Sequence, residues 1–298
     1  MRLDLGPIFS RAAHLTWGHP ILWLYGFLLV VVGGECLRFG GETNLGGDQL
    51  DQALREFRRL DASTLRTIAL AGVSIILAFW MVSIVLGNWA IGSLLGGLNQ
   101  AASDGATSLR GSSALGRRAF WPLVAVGFLS GLVASALLLP SLATAVFGYL
   151  ADQPVFIGAA CLWLPVALTL WAAIGLLVTL AQLRIVLAGT GPFEALTSAW
   201  RFLTDNLGDL LLVWAVNDLG IGCGAGCVTG FLILAASIPA WIGFAIDPAL
   251  GVVLLLPSLA LSFLVVVGRG VIAVFQRAVW LLSYQELQGH VPPPREEG

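Results

Sequence analysis

The chain has no lysine, three histidines, two methionines and four cysteines in 298 residues, and only 11% of it is charged. A soluble domain carries about a quarter charged residues, so a water-facing surface of ordinary composition is excluded. All 15 basic residues are arginine, which points to a GC-rich genome rather than to a task. With a formal net charge of −2, the chain has no basic footprint for nucleic acid. The residue patterns of common enzymes are missing too: no Walker loop, no H-E-x-x-H, no G-x-S-x-G in an elbow context and no Cys-x-x-Cys pair. A hydrolase working inside a membrane needs a nucleophile and base, or paired acids, at similar depth, and Asp218 is the one acid expected well inside a span. The expectation is therefore a protein that is not an enzyme.

What is present is apolar. Hydrophobic residues make up 58% of the chain and the mean hydropathy is +0.90. The apolar residues gather into six segments of roughly bilayer-spanning length, 21–34, 70–98, 123–149, 155–185, 210–242 and 250–274. Stretches such as 252–256 and 263–267 are continuously apolar, as lipid-embedded helices require, whereas a transmembrane β-barrel alternates. The fold class expected is all-α: a polytopic bundle of six transmembrane helices with interfacial amphipathic helices, one membrane domain over residues 1–298 with a polar tail at 286–298. Segment 21–34 resembles the apolar core of a secretory signal, and 31–36 faintly resembles a lipoprotein cleavage site. Glu35 stands where a small residue is needed and 20 residues precede the apolar core, so it is read as an uncleaved first span. Cys36, Cys161, Cys223 and Cys227 lie in or beside apolar segments, where small buried thiols are common.

Six spans put both termini on one side. Arg2, Arg11, Arg110, Arg117, Arg118, Arg184, Arg201, Arg277 and Arg295 share that side. The other side holds Arg38, Arg55, Arg58, Arg59 and Arg66, all in one longer loop among Glu42, Asp48, Asp51, Glu56 and Asp61. The positive-inside rule then favours cytoplasmic termini, in a bacterial inner membrane. Within that loop, residues 48–60 place Leu50, Leu54, Phe57 and Leu60 on one face, with acids in the first turn and Arg58 and Arg59 in the last. This predicts an interfacial helix on the outer surface, either a cap lying on lipid or on the bundle or a docking site for a partner.

Three short amphipathic stretches precede pairs of spans on the terminus side: 8–17, 113–121 and 192–203. In the third, Phe193, Leu196, Trp200 and Leu203 share a face, with Pro192 suited to a first helical turn. Sliding the first copy onto the third pairs Ser10 with Thr197, Ala12 with Ala199, Leu15 with Phe202 and His19 with Asn206. The pattern suggests a threefold repeat of an in-plane helix feeding a hairpin, over 5–100, 111–186 and 191–285, parallel rather than inverted. The entry segments AAHLTWGHPILWLYGF (12–27) and FEALTSAWRFLTDNLGDLLLVW (193–214) resemble those of poorly characterised bacterial six-helix membrane proteins, similar to the membrane domain attached to some glycerophosphodiester phosphodiesterases. The resemblance implies an accessory membrane module. No soluble phosphodiesterase domain accompanies it here, so no such activity carries over.

Candidate site residues are the polar groups placed inside spans, where ionisable side chains are costly and face the bundle interior. Asn88, Asp218 and Arg269 all fall in the inner half on this topology, so Asp218 and Arg269 can meet. The cluster reads either as a pair fixing helix register or as a pocket for an ion, proton or lipid headgroup. Gly222, Gly226 and Gly230, four apart, suit close helix packing. Cys223 and Cys227 offer two metal ligands with no matching third or fourth, so no metal is expected. His14 and His19 lie at the interface and His290 in the tail; a haem or chlorophyll magnesium on His19 or His14 is a distant alternative to no cofactor at all. Trp17, Trp23, Trp121, Trp200, Trp241 and Trp280 are expected as interface anchors, and Trp80, Trp171 and Trp214 as deeper packing residues. The function expected is a non-catalytic structural or accessory subunit of a membrane assembly, or a membrane organiser, whose partners are the bilayer and other membrane proteins or itself. The alternative is a small permease or lipid-handling protein.

Overall fold

In the computed structural model, which describes residues 3–32, 62–150 and 154–289, those residues form helices and no strand. The expected outer helix at 48–60, Cys36 and residues 290–298 of the tail, His290 included, lie outside the described residues, as do the side chains of Trp80 and Cys161. The order is α1 (Leu5–Gly18), α2 (Ile21–Val32), α3 (Ala62–Asp104), α4 (Leu109–Leu150), α5 (Pro154–Ala188), α6 (Pro192–Asp205), α7 (Leu207–Trp214), a π-helical segment (Ala215–Cys223), α8 (Gly224–Ile246) and α9 (Pro248–Leu287).

Five helical stretches are long and apolar enough to cross a membrane: Met81–Asp104, Leu109–Leu137, Leu162–Ala188, Leu207–Phe244 and Pro248–Leu287. A sixth crossing is available if α1 and α2, bent by 100° at residues 19–20, count together. This is a multi-pass membrane protein by length and composition. Interior prolines at 122, 140, 165, 239 and 257 are carried without ending their helices, as bundle neighbours permit in membranes.

Local chemistry sets the ends. Asp4 caps α1, its Oδ1 accepting from Gly6 N at 3.1 Å, and Asp247 does the same for α9 through Ala249 N at 2.8 Å. Gly105 and Gly189, at φ of 70° and 67°, end α3 and α5 in the left-handed conformation that glycine adopts without strain. One expectation needs correction. Residues 113–121 do not form a separate in-plane helix like α1 or α6; they are continuous with α4, a helix of 42 residues or about 63 Å. Pro122 stands between them and the following apolar run, yet the helix carries it without a break.

The chain forms two compact units, Met1–Tyr25 with Asn88–Gly224 and Val274–Gly298, and Gly26–Gly87 with Ala225–Ala273. In the first, the end of α9 is a buried post: Val274, Ala278, Val279 and Leu281 are fully enclosed, as are nearly all of Trp280 and Tyr284. Phe9 of α1 stacks on Phe275 at 5.9 Å, and Phe202 of α6 tilts over Tyr284 at 4.9 Å. Gln285 donates to Asn99 Oδ1 of α3 at 3.0 Å. Helices α3 and α4 meet through small residues: a Cβ on Gly92 would lie 3.0 Å from Gly116 Cα, and one on Gly116 would overlap Ser93 Oγ and sit 2.8 Å from Trp89 O. Backbones approach this closely only where side chains are small. In the second unit a Cβ on Gly270 would lie 2.7 Å from Phe27 N, so α9 runs against the α2 backbone, and Phe27 meets Phe263 edge-on at 5.5 Å.

Candidate functional site

The π segment interrupts the span Leu207–Phe244 and carries Asn217 and Asp218. Such i→i+5 stretches are uncommon and recur at functional positions. Both side chains reach α9. Asn217, fully buried, donates from Nδ2 to Gln276 O at 3.3 Å, and Gln276 Nε2 donates back to Asn217 O at 2.9 Å. Trp280 Nε1 donates to Asp218 Oδ2 at 2.9 Å. Since Gln276 and Trp280 lie one helical turn apart, two bonded layers join the π segment to one face of α9. Cross-helix hydrogen bonds of this kind fasten helices together.

Asn88 is half-buried on α3 and faces α4, where a Cβ on Gly127 would lie 3.6 Å from its Oδ1. Arg269 is buried in α9 and belongs to the second unit, while Asn88 and Asp218 belong to the first. At Gly222 the close neighbour is a side chain rather than a helix backbone: a Cβ would meet Gln276 Nε2 at 3.0 Å, so this glycine makes room for the Gln276–Asn217 exchange. Gly226 is buried and Gly230 half-buried on α8. Cys223 and Cys227 are free and exposed. His14 is exposed, and His19 places Nδ1 3.2 Å from Leu15 O at the end of α1. Among the described residues no three of His, Cys, Asp and Glu gather.

Trp17, Trp121, Trp200 and Trp241 point outward as anchors do, and Trp23 lies over Trp17 while donating to Thr16 O at 2.8 Å. Trp280 does not: it is 3% exposed and holds Asp218. Trp171, expected among the packing residues, is exposed. The site residues that sequence reasoning missed are Gln276, Tyr284 and Gln288, which with Trp280 recur every four positions along α9 and just past its end; each carries a hydrogen-bonding group, and that spacing was the available signal.

No protein-family model matches the chain, and searches of curated proteins and of solved structures return no match.

Proposed function

We propose that the chain is a non-catalytic integral membrane protein, a structural or accessory subunit of a membrane assembly or an organiser of the bilayer, lying in a bacterial inner membrane with both termini cytoplasmic. The observation that carries this reading is the tie of Asn217 and Asp218 to α9 through Gln276 and Trp280, which engages these two polar side chains in helix fastening. The outward apolar faces of α8 and α9, with Phe231, Trp241 and Leu256 each at least 70% exposed, suit lipid or another membrane protein. The resemblance of the entry segments to accessory membrane modules agrees with it. A second reading, a small permease or lipid-handling protein using Asn88, Asp218 and Arg269, is favoured by the π segment alone, since interrupted helices line substrate paths.

A photo-crosslinking residue at Phe231 or Leu256 in native membranes tests the first reading. It expects one discrete protein adduct, to another membrane protein or to a second copy. Lipid adducts alone, together with solute or lipid movement in reconstituted vesicles that Asp218→Asn abolishes, would favour the second. For the postulated Asp218–Arg269 pair, each single neutralisation should lower stability and the Asp218→Asn, Arg269→Gln double variant should recover part of the loss. Additive losses would remove the pair.

A further inference from the structure

Two arginines of the first unit, Arg184 and Arg277, lie between α5 and α9 and have no part in the proposed function. Arg184 is half-buried near the end of α5, with Cζ 5.9 Å over the Tyr284 ring of α9. Its Nε–H is sealed from solvent and meets no acceptor. The Tyr284 hydroxyl accepts from Gln288 Nε2 at 2.7 Å and lies within hydrogen-bonding reach of the rest of the Arg184 guanidinium. Arg277 reaches from α9 to the buried Gln182 of α5, Nη1 to Oε1 at 3.5 Å. Arg277 and Tyr284 are seven residues apart and so share a stripe of α9, which sets both guanidinium groups along one α5–α9 seam. Among the described residues neither has a carboxylate in ion-pair contact. Just past α5, the hydroxyl of Thr190 is also buried without a partner.

The level of this seam follows from its surroundings. Helix α5 turns at Gly189 directly into amphipathic α6, whose Phe193 and Trp200 point outward while Ala195, Ala199 and Phe202 are buried. An amphipathic helix with an outward indole lies at headgroup depth. Guanidinium groups without acids at that depth call for an oxygen-rich anion, and a phosphodiester accepts the Arg fork in two-bond geometry. We propose that Arg184, with Arg277 on the same seam, binds the phosphate of an anionic phospholipid headgroup.

The test uses the full chain in a neutral detergent and measures lipid adducts by native mass spectrometry and melting temperature on adding phosphatidylglycerol, phosphatidylcholine or inorganic phosphate. Phosphatidylglycerol should bind more tightly than phosphatidylcholine and raise the melting temperature. Arg184→Gln should weaken phosphatidylglycerol about fivefold, the effect of one arginine at a membrane surface, and leave phosphatidylcholine unchanged. Arg118→Gln, on the exposed side of α4, should change neither. Should Arg184→Gln fail to fold, Arg184→Lys decides: it keeps the charge, loses the fork, and should bind phosphatidylglycerol more weakly than the parent. Equal affinity for the two lipids, stabilisation by inorganic phosphate alone, or parental affinity in Arg184→Lys would each overturn the proposal.

Discussion

At the scale of single residues, Trp280 is the informative case. Counting along the chain puts it at the end of the last span, where indoles usually anchor. In the structure it is enclosed and donates to Asp218. Distance along a helix gives depth, but burial depends on what packs alongside, and α1, α3, α5 and α6 all gather at the end of α9. Replacing Trp280 with Phe keeps most of the ring and removes the donor. The expected loss is about 1–3 kcal/mol of unfolding free energy, read by thermal denaturation in detergent. Trp121→Phe, at an outward position, should shift stability by no more than about 0.5 kcal/mol. A reversed order would deny Trp280 its structural role.

At the scale of elements, hydropathy and length make the helices legible, because no soluble alternative accommodates runs this apolar. The π segment is not legible, since it leaves the hydropathy pattern unchanged. The small-residue seam was partly visible: Gly92 and Gly96 are four apart, as are Ser112 and Gly116, the same spacing as Gly222, Gly226 and Gly230. Spacing identifies a small face but not its partner. Gly92 and Gly116 turn out to face each other's helix, whereas Gly222 faces a glutamine side chain. A Leu at Gly116 must displace α3, so it should cost at least about 1–3 kcal/mol. Gly131→Leu on the same helix, where nothing lies within 4 Å of the added carbon, should be tolerated. Equal melting temperatures for the two variants would contradict the seam.

At the scale of the whole molecule, the class was readable and the task was not. Composition excludes a soluble protein, while partner identity leaves little trace in a chain with so few ionisable side chains. Cysteine-accessibility labelling should find residues 48–60 outside and 288–298 inside, as the arginine distribution predicts. Both on one side would overturn the proposed topology. The central claim is that intramembrane polar residues fasten helices rather than line a path, and an Asp218–Trp280 double-mutant cycle tests it most directly. Asp218→Leu and Trp280→Phe should each lower stability, while the double variant should lose no more than the worse single one, because neither group is then left without its partner. Additive losses, or full stability of Asp218→Leu in a protein whose vesicle flux it abolishes, would contradict the account.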